Sequence, residues 1–220
     1  MIERILPPPV AVAETFGDDP AAVLFPEENA VIARAVESRR REFATGRACA
    51  RSALARLGQP PVPLLSGPRG APRWPQGVTG SITHCPGYRA AAVAWTRDAA
   101  SLGLDAEPNK PLPNHGMLEV IATESERARL VGLADETPGG ICWERLLFSA
   151  KEAVYKTWFP LTRRWLDFES ADVAIDARAG TFTARLLVEG PVVNGAPLSL
   201  LHGRWLADQG LLVTAIVLPA

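Results

Sequence analysis

The sequence predicts an α+β fold of two similar α/β halves, each a small antiparallel sheet packed on a long helix. Two observations carry this. The hydrophobic patterns run helix, three strands, helix, then three or four strands. At 220 residues and 47% hydrophobic, the chain can also bury a proper core without metals or crosslinks. The expected boundary between the halves lies at 104/105, giving 1–104 and 105–220 within a single compact unit.

The segment "PEENAVIARAVESRRREFATGRACARSALARLG" (residues 26–58) opens with Pro26 and acidic residues and closes at Gly58, the start and stop signals of helix. Thr45 and Gly46 mark a place where it could divide. On a helical wheel Val36, Phe43, Ala50, Leu54 and Leu57 share one face, and Arg40, Arg47 and Arg51 line its edge. Residues 59–78 are dense in Pro and Gly and read as a loop with a short strand pair around "VPLL". "GSITHC" and "YRAAAVAW" then form two strands joined at Pro86-Gly87, and a third, "SLGLDAE", stops at Pro108. After the loop "PNKPLPNHG", Thr123 and Glu126 have the spacing of a capping box for a short helix. The second long helix covers about 141–159, with Trp143, Leu146, Leu147, Ala150, Ala153 and Val154 on its apolar face. Three strand-like runs follow, "ADVAID", "TFTARLLV" and "GRWLADQGLLVTAIVL", the last a hairpin turning at Asp208 to Gly210.

Formal net charge is −1, without the basic excess of a general nucleic-acid binder. No apolar run reaches the roughly 20 residues that span a bilayer, and "MIERILPPPV" lacks the basic start and long apolar stretch of a secretory signal. Cys49, Cys85 and Cys142 are widely spaced and contain no CxxC pair, as for free thiols in a reducing compartment. These features predict a soluble cytoplasmic protein with neither a nucleic acid nor a membrane as partner.

Glu152 lies within "FSAKEAVYK". Alone, Glu152 and Lys156 read as an ordinary i, i+4 ion pair on a helix surface. "GLDAEP" changes that reading, because strand alternation puts Gly103, Asp105 and Glu107 on one face, with two carboxylates about 7 Å apart. Like charges at the end of an apolar strand are unfavourable unless water or a cation separates them. If Glu152 folds over the same spot, the result is an all-oxygen set suited to Mg²⁺, with Mn²⁺ as the alternative, and such sites leave room for substrate phosphates. Arg39, Arg40, Arg47, Arg51, Arg69, Lys151 and Lys156 supply cations, and arginine's planar fork matches phosphate oxygens. His84, at the end of "GSITH", either donates to a phosphate or satisfies backbone. "GPRGAP" and "GVTGS" lack the Lys-[Ser/Thr] of a P-loop, and no GxSxG, HExxH or GxGxxG is present.

"GLDAEP", followed some forty residues later by "FSAKEAVYK", resembles the paired signature of 4′-phosphopantetheinyl transferases. The likeness is to the larger single-chain, surfactin-synthetase-activating type, which serves polyketide, nonribosomal peptide and fatty-acid synthases in bacteria. "RRREFATGRACARSALARLG", "GAPRWPQGVTGSITHCPGYRAAAVA" and "WFPLTRRWLDFESADV" are similar to actinobacterial members, so the resemblance covers the chain from about residue 26 onward. It implies two pseudo-twofold-related halves. It also implies Asp105, Glu107 and Glu152 as magnesium ligands, and Arg39, Arg47 and Arg69 at the phosphates and nucleotide end of coenzyme A. Thr83 and His84 would sit beside the diphosphate, Lys151 and Lys156 would flank the reacting phosphate, and Tyr155 and Trp165 would line the pantetheine channel. Arg69 stands where lysine is common. The implied reaction moves 4′-phosphopantetheine from coenzyme A to a serine of an apo acyl or peptidyl carrier protein and releases adenosine 3′,5′-bisphosphate. Glu152 would take the serine proton, directly or through a metal-bound water, Lys156 would stabilise charge on the departing phosphate, and His84 would hold the diphosphate in register. Segment 108–122 is the expected carrier contact, and one chain holding both halves predicts a monomer. Two rival classes share part of the pattern: another Mg²⁺-dependent enzyme of nucleotide diphosphates, and a non-catalytic module that binds coenzyme A or a carrier.

Overall fold

The computed structural model describes residues 1–114, 116–137 and 140–220. The chain runs β1 (Ala11–Phe16), α1 (Pro26–Val31), α2 (Glu37–Arg56), β2 (Val78–Cys85), β3 (Tyr88–Trp95) and β4 (Ala99–Pro108). It continues with α3 (Gly116–Ile121), α4 (Glu124–Glu136), α5 (Trp143–Thr162), β5 (Ala171–Asp176) and β6 (Thr181–Leu186). It ends with β7 (Val192–Val193), β8 (Ala196–Pro197), β9 (Leu200–Asp208) and β10 (Leu211–Pro219). All three cysteines are free thiols. No helix among the described residues is long and apolar enough to cross a membrane.

Two antiparallel sheets carry the architecture, ordered β1-β3-β2 and β4-β10-β9-β6-β5. Each begins with the same plan: a strand, a long helix, and a later hairpin whose second strand inserts beside the first, in β1, α2, β2, β3 and again in β4, α5, β9, β10. The β9–β10 hairpin turns on Gln209 (φ 51°) and Gly210 (φ 74°), the two positive values that a two-residue primed turn demands. The expected boundary at 104/105 falls inside β4, whose ladder to β10 places the whole strand in the second sheet.

Three apolar cores follow from this layering. Ala50, Ala53 and Leu54 of α2 pack on Ala91 and Val93 of β3. Leu146, Ala150, Val154 and Trp158 of α5 pack on the second sheet, where Trp143 and Trp205 meet edge to face at 5.6 Å. The opposite faces of both sheets share the third core. Ala90, Ala92 and Ala94 of β3 join Leu102, Leu104 and Ala106 of β4 and Val213 and Ala215 of β10, with Ile2, Ile5 and Leu6 alongside. Strands buried on both sides explain the nearly unbroken apolar run of "YRAAAVAW".

Three local differences have physical causes. The first helical region breaks at Ile32–Val36, where the Arg40 guanidinium bonds the Ile32 and Ala33 carbonyls, and not at Thr45-Gly46. There, Thr45 Oγ1 bonds back to the Arg41 carbonyl inside a continuous α2, and Gly46 lets the helix approach Ile82. Strand β1 lies in the Pro-rich lead that the apolar pattern leaves unassigned, and "VPLL" forms no strand pair; that loop holds an isolated bridge between Ser66 and Pro72.

Candidate active site

Gly103 is the residue on which the site is built. A Cβ there would lie 2.0 Å from the Ala153 carbonyl oxygen and 2.5 Å from Thr157 Oγ1, so only glycine lets α5 lie this close to β4. Ser101, on the same strand face, donates to the Thr157 carbonyl at 2.8 Å. Asp105 and Glu107 continue that face, and the stripe Arg145, Ser149, Glu152, Lys156 on α5 is turned toward them instead of toward solvent. Ser149 is fully buried and its hydroxyl pairs with Thr214 of β10 at 2.9 Å.

Asp105 is the centre. Its Oδ1 accepts from Lys156 Nζ at 2.6 Å and from Thr83 Oγ1 at 3.4 Å, while Oδ2 is buried with no hydrogen-bond partner among the described residues. Glu107 is held by Arg145 at 3.1 Å, yet burial and the Asp105 charge push its carboxyl up to about 7. Glu152 makes no ion pair among the described residues, and it too is raised by burial and by Asp105, with Lys156 opposing. Lys156 has gone to Asp105, so the i, i+4 surface pair does not form.

Among the described residues no three His, Cys, Asp or Glu side chains gather closely enough to ring a metal ion. The chemistry of the acidic set nevertheless fits a hard cation. Burial, and after it the charge of Asp105, holds the carboxyls of Glu107 and Glu152 toward the protonated form, and a buried oxygen of Asp105 lacks a partner among the described residues.

Beside this centre lie two further groups. At the end of β2, His84 Nε2 is 3.1 Å from Arg39 Nη1 and His84 Nδ1 is 2.8 Å from Glu42 Oε1, while Glu42 also pairs with Arg39. Across the seam, the Arg69 guanidinium stacks over the Trp165 ring at 4.6 Å, and Trp165 meets Tyr155 at 5.1 Å. Arg69 reaches this position from a left-handed backbone, φ 54°. Tyr155 and Trp165 border a pocket with Glu152, Asp167 and Phe168, and the Tyr155 hydroxyl is buried without a partner among the described residues.

Sequence models of two domains match this chain: the 4′-phosphopantetheinyl transferase N-terminal domain over residues 27–94, and the 4′-phosphopantetheinyl transferase superfamily over residues 101–195. The chain is 58% identical to the 4′-phosphopantetheinyl transferase Svp of Streptomyces mobaraensis, covering 100% of this chain and 90% of that one. It is 46% identical to the 4′-phosphopantetheinyl transferase PptT of Mycobacterium tuberculosis, covering 99% and 98%. Npt of Nocardia iowensis, also a 4′-phosphopantetheinyl transferase, is 48% identical over 98% and 99%. The chain belongs to the 4′-phosphopantetheinyl transferase family. Members transfer phosphopantetheine from coenzyme A to carrier proteins.

Within this transferase the residues singled out from sequence divide by what they touch. Asp105, Glu107, Glu152, Lys156 and Thr83 share one neighbourhood, Arg39 and His84 a second, and Arg69, Tyr155 and Trp165 a third. Lys151 is a correction. Its ammonium is enclosed by the Phe168 carbonyl at 2.6 Å, the Ala171 carbonyl at 3.0 Å and Glu126 at 2.8 Å, so its donors are already taken and none is left for a phosphate. Arg47 is buried over the Phe43 ring, with Nε on the Leu64 carbonyl and Nη2 on Ser66, and burial lowers it to about 10. It therefore ties down the start of the loop that carries Arg69.

Two residues that the sequence pattern does not single out are Glu42, which pairs with both Arg39 and His84, and Arg145. Besides Glu107, Arg145 holds the Lys110 and Pro111 carbonyls at 3.2 and 2.6 Å, clamping the chain just beyond β4. The position of Arg145, seven residues before Glu152 on one helix face, was the available signal. Of the expected carrier segment 108–122, His115 lies outside the described residues.

Proposed function

We propose that this transferase moves 4′-phosphopantetheine from coenzyme A to the serine hydroxyl of an apo acyl or peptidyl carrier protein, acting as a monomer, with Asp105, Glu107 and Glu152 holding a divalent cation. The reading is supported most by the close approach at Gly103, which turns Glu152 and Lys156 toward Asp105. When bound, the cation supplies positive charge against the diphosphate oxygens and offsets what develops at phosphorus.

The chain's own groups do the rest. Burial and the Asp105 charge raise the proton affinity of Glu152, which suits it to accept the serine proton as the Oγ–P bond forms and the diphosphate P–O bond breaks. Lys156, a donor already beside Asp105, offsets charge on the departing adenosine 3′,5′-bisphosphate. Arg39 and His84 take diphosphate oxygens, Thr83 fixes Asp105 from below, and the Arg69–Trp165–Tyr155 stack flanks the pantetheine arm.

Intact-mass spectrometry of an apo-carrier incubated with the protein, coenzyme A and Mg²⁺ tests this. The expected result is a phosphopantetheine mass shift that a chelator abolishes. Release of the bisphosphate without any carrier would point instead to a hydrolase of nucleotide diphosphates.

A further inference from the structure

A carboxylate at the heart of a site for phosphates calls for an explanation, because its charge repels the ligand. Glu42 occupies that position, touching both Arg39 and His84. A carboxylate only accepts, so His84 Nδ1, at 2.8 Å from Glu42 Oε1, carries the hydrogen. A guanidinium only donates, so His84 Nε2, at 3.1 Å from Arg39 Nη1, presents its lone pair. In the free protein the imidazole is therefore the neutral Nδ1–H form. A phosphate oxygen meeting Nε2 would face lone pair against lone pair unless Nε2 gained a proton.

We infer that Glu42 is a positioning residue: it holds His84 through Nδ1–H, so that Nε2 takes a proton from solvent when a phosphate oxygen of coenzyme A enters between His84 and Arg39. This rests on the reading that His84 meets the diphosphate. With an anion on each side, the resulting imidazolium is matched at both nitrogens, and coenzyme A binding becomes coupled to proton uptake. The groups around the ring act in both directions. Burial, Arg39 of α2, Lys156 of α5 and Arg89 of β3 hold the imidazole neutral, and Glu42 favours the proton. An added phosphate tips that balance.

Affinity alone does not separate this role from a structural one, since deleting Glu42 also removes repulsion toward the ligand. Two other readouts do. Titrations of coenzyme A into the protein near pH 7, in buffers of different ionisation enthalpy, report proton uptake as the slope of observed heat against that enthalpy. The wild type is expected to show uptake that is lost in both Glu42→Gln and His84→Asn. Equal slopes in wild type and Glu42→Gln, or no uptake in the wild type, would overturn the inference. No binding heat with any buffer and no displacement of a fluorescent coenzyme A would instead overturn the reading of the site. Arg39 and Glu42 both favour the Nδ1–H tautomer, so the contribution of Glu42 is read where Arg39 is absent. Independently of ligand, ¹⁵N NMR of the His84 ring should report the Nδ1–H tautomer in Arg39→Met and a shift toward Nε2–H in the Arg39→Met, Glu42→Ala double variant, with the folded state of each checked in the same spectrum. An unchanged tautomer in the folded double variant would sink the role assigned to Glu42.

Discussion

Glu152 and Lys151 are neighbours in sequence with opposite duties, and the difference is a matter of angle. Adjacent helical residues do not share a face, whereas positions three or four apart do. Glu152 and Lys156 therefore turn together toward Asp105, and Lys151 turns into the shell formed by Phe168, Ala171 and Glu126. Two expectations follow. Glu152→Gln keeps the shape of the side chain but cannot accept a proton, so turnover should fall roughly 10²–10⁴-fold with an unchanged melting curve. Near-normal transfer by the folded variant would remove Glu152 from the proton step. Lys151→Met should act on stability instead, because it strips the cation from the buried Glu126, for a loss of about 3 kcal/mol. Urea denaturation would measure that loss, and a Michaelis constant for coenzyme A that changed without a change in midpoint would contradict it.

For the elements, the decisive contact is between β4 and α5, and its test is Gly103→Ala. The added methyl meets a backbone carbonyl, which cannot move without moving the helix, so a cost of about 2–3 kcal/mol is expected together with loss of coenzyme A turnover. Thermal melting and a carrier assay would report both, and an unaffected melting temperature would mean that α5 tolerates displacement. This contact was half legible. The alternation of "GLDAEP" revealed which residues share a face, and the strand at 88–95 could be read because its apolar run is buried on both sides. That Gly103 is the point of approach could not be read, since a glycine's partner lies some fifty residues away. Glu42 and Arg145 were hidden for a similar reason: charged residues on helices look like solvated surface until the fold shows what they face. Strand β1 escaped because Glu14, a charge in its middle, breaks the apolar pattern, and that half-buried charge accepts from the Tyr88 hydroxyl.

In the molecule as a whole, the site straddles the junction of the two sheets, with Thr83 and His84 on one edge and Asp105 and Glu107 on the other. That junction is not a continuous backbone ladder. Edge strands β2 and β4 meet through hydroxyls: Ser81 Oγ accepts from the Leu104 N–H at 3.1 Å, and Thr83 Oγ1 accepts from the Ala106 N–H at 2.9 Å. All four residues are buried, so no water stands ready to replace a lost partner. A Ser81→Ala, Thr83→Val double variant keeps shape and apolar packing but orphans two buried amides, at roughly 1–3 kcal/mol each. The shared core on the far side of both sheets remains, so one cooperative transition is expected to persist at a lower midpoint. Hydrogen exchange should show the Leu104 and Ala106 amides changing from slow to fast while amides in the α2 and α5 interiors stay protected. If those two amides remained slow in the double variant, the halves would be joined by packing alone, and the hydroxyls would have no part in holding His84 and Asp105 in register.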